Sequence, residues 1–307
     1  MTHPQQSLEG MIPEAWLRFP QHIGLELSSR CPLACVMCPQ SELKRDKTEM
    51  DSQLAFQILG QLGGDRLPVL MPQGMGELFL HPDWQEILHC AIHERGLQVA
   101  VLTHGSFLDE ERVQALVQLQ PAMIVIGVEG VTKETHEAVT GREDFSLVTQ
   151  GIEGLVRLRR ERGLETPPLQ LRMTPNAKNR HEASAFEAFW KPKLLPGDQA
   201  CVNPVCNSWA GAIAEEVAPR EQHEQPRLPC PQLWTHLNVY ADGRCTPCCI
   251  DHEGAIHIGN AKEQNLQEIW EGETLAAYRR AHIEGRFQDV PLCGDCSDWI
   301  NYLRQVL

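Results

Sequence analysis

Three cysteines stand at i, i+4 and i+7 in Cys31-Pro-Leu-Ala-Cys35-Val-Met-Cys38. A structural zinc site takes four ligands, in pairs two to four residues apart, and this triplet is one short. Three buried thiols serving only as small hydrophobes are a weaker account of such close spacing. A cubane suits it better: a [4Fe–4S] cluster has four irons, so three thiolates leave one iron open to a substrate or cofactor. A second set follows at Cys230, Cys248 and Cys293-Gly-Asp-Cys296. Four thiolates there complete either an auxiliary [4Fe–4S] cluster or a zinc site, and the residues alone do not choose. Cys245 and Cys249 crowd the same stretch as Cys248, and either can replace it as ligand. Cys249 is also a candidate hydrogen donor to a substrate. Cys90, Cys201 and Cys206 are expected to hold no metal.

These residues need a scaffold, and residues 20 to 200 read as repeated strand–helix units. Strands are predicted at 23–27, 69–71, 98–102, 123–126 and 169–173. Helices are predicted from Asp51, a good N-cap, then around Trp84 to Ile92 with a stop at Gly96, and over 109–119, 145–162 and 181–190. Arg157, Arg159, Arg160 and Arg162 read as the solvated end of a helix, complementing its dipole. The alternation implies a parallel sheet with crossover helices. An open sheet and a curved partial barrel share this periodicity, and both put chemistry at the strand C-termini. Residues 191–229, rich in Pro, Gly and charge, read as an irregular segment and a linker. Beyond Cys230 a strand at 236–240 meets Ala241-Asp242-Gly243, where Asp-Gly favours a tight primed hairpin turn. A helix is predicted near 266–278.

The polar loops all follow strands. Gly74-Met75-Gly76-Glu77 follows the second, Thr103-His104-Gly105 the third, and Gly127-Val128-Glu129-Gly130 the fourth. Arg172 lies in the fifth and needs a partner, since an apolar strand does not tolerate a lone charge. With the triplet after the first strand, these segments resemble the radical S-adenosylmethionine (SAM) enzymes. Gly74 to Glu77 is similar to the family's Gly-Gly-Glu-Pro loop, with Met75 and Leu78 replacing Gly and Pro. Thr103-His104-Gly105 is similar to Thr-Asn-Gly, and residues 127–130 to Ser-x-Asp-Gly, with Ser lost and Asp become Glu. The order Cys230, Gly243-x4-Cys248, Cys293-x2-Cys296, with Trp234, Ile258-Gly-Asn260 and Leu266-Gln-Glu-Ile-Trp270 as flanks, resembles the short SPASM, or twitch, extension of that family.

The resemblance spans roughly residues 20 to 304 and implies a partial (β/α)6 TIM-like barrel with a small C-terminal cluster-binding β-hairpin and helix domain. The corresponding boundaries are 1–19 for an N-terminal extension, 20–215 for the barrel, 216–229 for a linker and 230–307 for the auxiliary domain. It implies that Cys31, Cys35 and Cys38 hold the open-iron cluster. Gly74, Gly76 and Glu77 would hold the methionyl end of SAM, and Glu129 the ribose or the substrate. Arg172 would face the SAM carboxylate, or else sit in a structural ion pair, and Asn179 would lie at the adenosine side. Cys230, Cys248, Cys293 and Cys296 would hold the auxiliary [4Fe–4S] cluster. In such enzymes the reduced cluster cleaves SAM to methionine and a 5′-deoxyadenosyl radical, which takes a hydrogen atom from the substrate.

The expected reaction is oxidation of a small polar substrate, such as an amino-sugar or cyclitol alcohol, with the auxiliary cluster accepting an electron. Oxidation also needs a base, for which Glu129 is the weak candidate. The alternatives are maturation of a peptide or protein side chain, epimerisation with Cys249 or Cys245 quenching the radical, and a non-enzymatic iron–sulfur or zinc protein. About twenty residues precede the first strand, which leaves no room there for a peptide-recognition module. An external one-electron reductant such as flavodoxin or ferredoxin is implied.

Composition narrows the partners. The 307 residues carry 27 Lys and Arg against 41 Asp and Glu, a formal charge of −14, which argues against general nucleic-acid binding. Hydrophobic residues are 42% of the chain and charged residues 22%, enough for an ordinary core. No run of eighteen apolar residues marks a membrane span, and residues 1–9 lack a signal-peptide core. Twelve cysteines without a secreted-scaffold pattern point to metal binding in a reducing cytoplasm.

Overall fold

A computed structural model describes residues 17–219 and 226–306. Most of the expected N-terminal extension and the middle of the expected linker lie outside the described residues.

Six parallel strands form the barrel: β1 (His22–Leu25), β2 (Val69–Met71), β3 (Ala100–Thr103), β4 (Met123–Gly127), β5 (Leu169–Met173) and β6 (Gln199–Val202). β1 pairs with β2, and β3 to β6 pair in sequence order. The two groups meet where Leu70 bridges Val99 and donates its N–H to the Gln98 carbonyl (2.9 Å). Strand side chains such as Ile23, Leu25, Leu70, Ile124, Ile126 and Leu171 are wholly buried, as expected where helices cover a parallel sheet.

The crossover helices are α1 (Ser52–Leu59), α2 (Trp84–His89), α3 (Glu110–Leu119), α4 (Lys133–Thr140), α5 (Phe145–Arg162) and α6 (Ala183–Trp190). Asp51 caps α1 by accepting from the Gln53 and Leu54 amides, and Leu54, Ala55, Ile58 and Leu59 form its buried face. α2 passes into a π-helical turn at Cys90–Glu94 before Gly96.

Three features of the barrel depart from the sequence reading. α4 was not predicted, because Lys-Glu-Thr-His-Glu-Ala-Val-Thr has almost no apolar period. It forms between a Thr132 N-cap and a left-handed Gly141, and buries His136 and Thr135. β6 hides in Gln-Ala-Cys-Val, too short and too polar to stand out, and is selected by the open edge of β5. Arg159 is not at a solvated helix end: its side chain and that of Asp198 are wholly buried, joined at 2.9 and 2.6 Å. The pair pins α5 to the turn before β6, and Asp198 also accepts from the Leu169 and Leu195 amides.

The C-terminal region is α7 (Gln232–Thr235), β7 (His236–Val239), β8 (Arg244–Thr246), β9 (Gly259–Asn260), α8 (Leu266–Trp270), α9 (Glu273–Ile283) and α10 (Trp299–Val306). The β7–β8 hairpin is present, but its loop has three residues. Tyr240 N–H donates to Arg244 O (2.9 Å), and Gly243 sits at φ +91, the bulged form rather than the primed two-residue turn. The single helix expected near 266–278 is two, parted at Gly272, which opens α9. β7 also lies parallel to β1, from His22↔His236 to Leu25↔Val239. The hairpin therefore extends the barrel sheet in the order β2-β1-β7-β8-β9. Among the described residues no helix is long and apolar enough to cross a membrane.

Candidate functional site

The first cysteine loop leaves the C-terminal end of β1 and is tied down by α4. Ala34 and Val36 donate to the carbonyls of Thr140 (3.1 Å) and Val139 (2.9 Å), and Cys38 N–H closes a turn onto Cys35 O (3.0 Å). Cys31 and Cys35 each lie close enough to Cys38 to feel its charge. Burial pushes Cys31 up to about 11, with Glu77 and Cys38 adding to the rise. Burial also raises Cys35 and Cys38; beside Cys35 stand Cys38, Glu129, Cys31 and Asp144, while Lys47 favours the Cys38 thiolate. Thiols crowded together and beside carboxylates cannot all ionise unaided. A cationic cluster supplies the missing positive charge, so the donor set fits iron–sulfur ligation.

Gly74 to Glu77 packs across this loop. A Cβ on Gly74 would stand 2.3 Å from Glu26 Cγ, and one on Gly76 would stand 2.2 Å from the Ser28 carbonyl oxygen. The glycines let the β2 loop lie against the end of β1. The Glu77 amide donates to Arg30 O (2.8 Å). Its buried carboxylate accepts from Thr103 Oγ1 (2.9 Å) and the His104 amide (3.0 Å), with His104 Nε2 3.2 Å away. Thr103-His104-Gly105 thus orients Glu77.

Glu129 is buried beside Cys35, pushed up to about 8 by burial although Thr174 N–H donates to its Oε2 (2.9 Å). Its amide donates to His136 Nδ1 (3.1 Å), and His136 Nε2 faces Asp144 at 3.2 Å. Asn179 does not reach out to a ligand. Its amide nitrogen donates to Glu129 O and Thr174 O (both 3.1 Å), and its oxygen accepts from the Asn176 amide (2.7 Å). It is a clamp on the loop after β5. Arg172 bonds to Gln170 Oε1 (2.5 Å), and among the described residues no carboxylate pairs with it.

The second set gathers Cys230, Cys248, Cys249, Cys293 and Cys296. Burial raises Cys230 well above the ordinary thiol range, and Cys293, Cys296 and Cys249 add to it. Cys248 is raised by burial, with Cys249, Cys230, Asp251 and Cys293 around it. Cys245 is elsewhere: its thiol is buried in the core and directed at Gly243 O (3.5 Å). Cys249 differs from Cys248 in having its own partner, donating to Tyr302 Oη (3.1 Å).

Sequence reasoning passed over four residues here. Arg227 lowers Cys293 and Cys296 against their burial. Asp251 accepts from the Gly254, Ala255 and Ile256 amides (2.7–2.9 Å), ordering the chain after Cys249. Glu26, 1% exposed, takes two bonds from Arg45 (2.8 and 2.6 Å) and the amides of Met75 (2.9 Å) and Ala241 (3.1 Å). Arg45 also lies over the Tyr240 ring and donates to His252 O. The signal for Glu26 was the one applied to Arg172, a charge inside an apolar strand.

Beside Cys248 and Cys249 lies a cavity of about 310 Å³ that also reaches the Gly74–Met75 loop. Gly74 and Met75 border one side, Cys248 to Asp251 another, and Arg172, Asn207, Trp209 and Asn238 are also in its wall. Glu129 is not among its lining residues.

Residues 25–165 match the family model of the radical SAM superfamily, and residues 230–297 match that of SPASM, an iron–sulfur cluster-binding domain. A tungsten-containing aldehyde ferredoxin oxidoreductase cofactor-modifying protein of Pyrococcus furiosus is 23% identical over 318 residues, covering 90% of this chain and 87% of its own. The structure of BtrN in complex with AdoMet and 2-DOIA is similar with a TM-score of 0.59 at 19% identity, over 91% of this chain and 93% of that one. SuiB of Streptococcus suis, bound to precursor peptide SuiA, is similar with a TM-score of 0.64 at 13% identity, over 91% and 71%. At these identities the two structures show a shared fold.

Proposed function

Since the chain belongs to the radical SAM superfamily and ends in a SPASM domain, we infer that it is an oxidoreductase acting on a small polar substrate, such as an amino-sugar or cyclitol alcohol. The observation that carries this reading is the 310 Å³ cavity, whose wall includes both Gly74–Met75 and Cys248–Cys249. A substrate there touches the radical side and the electron-accepting side at once. The size suits a single ring, and Arg172, Asn207 and Asn238 suit hydroxyl or amino groups.

Bound at Cys31, Cys35 and Cys38, the open-iron cluster and SAM supply methionine and a 5′-deoxyadenosyl radical after one electron from an external reductant such as flavodoxin or ferredoxin. Glu77, already oriented by Thr103 and His104, receives the methionyl ammonium. Arg172, which among the described residues has Gln170 but no carboxylate for a partner, offers its guanidinium to a carboxylate or a substrate oxygen. Glu129, beside Cys35 and outside the cavity wall, would serve the ribose side. Cys230, Cys248, Cys293 and Cys296 hold the auxiliary cluster, with Arg227 balancing its thiolates. The balance is simple: the carbinol carbon loses a hydrogen atom to the radical. Release of the hydroxyl proton to solvent and of one electron to the cluster that Cys230, Cys248, Cys293 and Cys296 would hold would then leave a carbonyl.

A second reading is epimerisation, supported by Cys249, which lines the cavity with a thiol that Cys248 leaves spare. The test is anaerobic turnover with carbon-deuterated cyclitols, amino sugars and peptides. Deuterium in 5′-deoxyadenosine together with a carbonyl product supports oxidation. A stereoinverted product that is lost in Cys249→Ala replaces it with epimerisation, and deuterium transfer only from peptides overturns the small-substrate reading.

A further inference from the structure

The two cysteine loops are far apart in sequence, and one short segment ties them. Trp209 and Ala210 both adopt left-handed backbone, at φ +52 and +55, and Gly211 follows at +92. Side-chain-bearing residues keep such a conformation only where their surroundings impose it, and they concentrate at functional sites. Asp298 imposes it here. This residue, 3% exposed, lies two positions past Cys296. One carboxylate oxygen accepts from the Ser208 amide (2.9 Å); the other accepts from Ser208 Oγ (3.0 Å) and the Ala210 amide (3.2 Å).

The turn so formed directs the indole at the other loop. Trp209 Nε1–H donates to the Met37 carbonyl (3.0 Å), in the middle of Cys35-Val36-Met37-Cys38. The ring meets His252 edge-on, with centroids 6.4 Å apart, and lines the cavity beside Asn207. Asn207 is itself held by Tyr302 Oη (3.4 Å) and Asn301 (3.2 Å). Hydrogen bonds and backbone therefore run without interruption from Cys296 through Asp298 and Trp209 to Met37 and Cys38.

We infer that Trp209 is a positioning residue through which the segment after Cys296 holds the Cys35–Cys38 turn. α4 fixes the front of that loop through Ala34 and Val36; Trp209 fixes its far side. The auxiliary segment thereby sets the placement of the radical-site ligands as well as a wall of the cavity. The inference rests on both cysteine sets being cluster ligands, and it does not depend on the substrate.

The test is hydrogen exchange read by mass spectrometry on the anaerobically reconstituted full chain, with iron counted in each variant. Trp209→Phe keeps the bulk and removes the donor. Exchange across residues 36–40 should then quicken about tenfold or more, while 207–213 and β3–β5 stay as in the parent. Asp298→Ala should quicken both 207–213 and 36–40. The KM for SAM in substrate-free cleavage should rise severalfold in Trp209→Phe, with iron retained. Unchanged exchange at 36–40 overturns the inference, and so does equal loosening of β3–β5, which makes Trp209 a general packing residue. Failure of the ligand reading shows separately, as iron undiminished when Cys31, Cys35 and Cys38 are all replaced by Ala.

Discussion

At the scale of single residues, the arrangement separates cysteines among which the sequence favoured Cys248 only by its spacing from Gly243. Cys245, Cys248 and Cys249 lie within five positions, yet Cys245 turns into the core while Cys248 and Cys249 face Cys230, Cys293 and Cys296. Strand alternation is the cause: Cys245 pairs with Val239 inside the β7–β8 ladder, and its side chain takes the buried face. Cys248→Ala should therefore lose the auxiliary iron. Cys245→Ala should keep it and cost about 1 kcal/mol of stability as a small core truncation. Iron per chain and a denaturant midpoint check both, and auxiliary iron lost only in the Cys245 variant would reverse the assignment.

At the scale of elements, loops do their work because strands and helices deliver them to one end of the barrel. Gly76 shows the tolerance. A methyl group there meets the Ser28 carbonyl at 2.2 Å and the Arg30 backbone at 2.5 Å, neither of which is a flexible chain end. Gly76→Ala should lower substrate-free SAM cleavage at least about tenfold, since a 1 Å misplacement is costly to a positioned group, while the auxiliary iron stays. The β1–β7 seam makes a different prediction. His236 stacks on His22 at 4.5 Å, and burial, with His22 adding to it, pushes His236 down to about 3 from its ordinary 6.5. Below pH 6.5 the unfolded chain gains a proton there that the folded chain refuses. Stability contributed by neutral His236 is whole above 6.5 and is lost as pH falls toward 3. His236→Gln should shrink the stability loss between pH 7 and pH 5 by on the order of 1–2 kcal/mol, read from denaturant midpoints. An identical pH slope in the variant would contradict the stacked pair.

At the scale of the whole molecule, the barrel and the auxiliary region share a sheet, and a buried ion pair of the barrel, Glu26 with Arg45, bonds to the auxiliary region. β7 covers the edge of β1, and Glu26 at the end of β1 binds both Arg45 and the Ala241 amide. The two cysteine loops are therefore parts of one framework, and the cavity beside Cys248 and Cys249 reaches the Gly74–Met75 loop of the barrel. Wild-type protein reconstituted anaerobically should hold about eight irons per chain, falling to about four in the Cys31/Cys35/Cys38 triple Ala variant and to about four in Cys293→Ala. About four irons in the wild type, all lost in either variant, would mean one cluster rather than two.

Ligand spacing, loop order and the alternation of strands and helices were legible along the chain, because each depends on neighbours within about ten residues. That local information was enough to place Cys31, Cys35, Cys38 and Glu77 at the mouth of a parallel barrel and to expect a second thiol set. Pairings between distant segments were not legible: β7 on β1, Arg159 on Asp198, Arg45 on Glu26, Trp209 on Met37. A buried charge or donor announces only that it needs a partner. Which partner it finds depends on the folded path of the whole chain, and that path also decided that Cys245 is core and Asn179 a loop clamp.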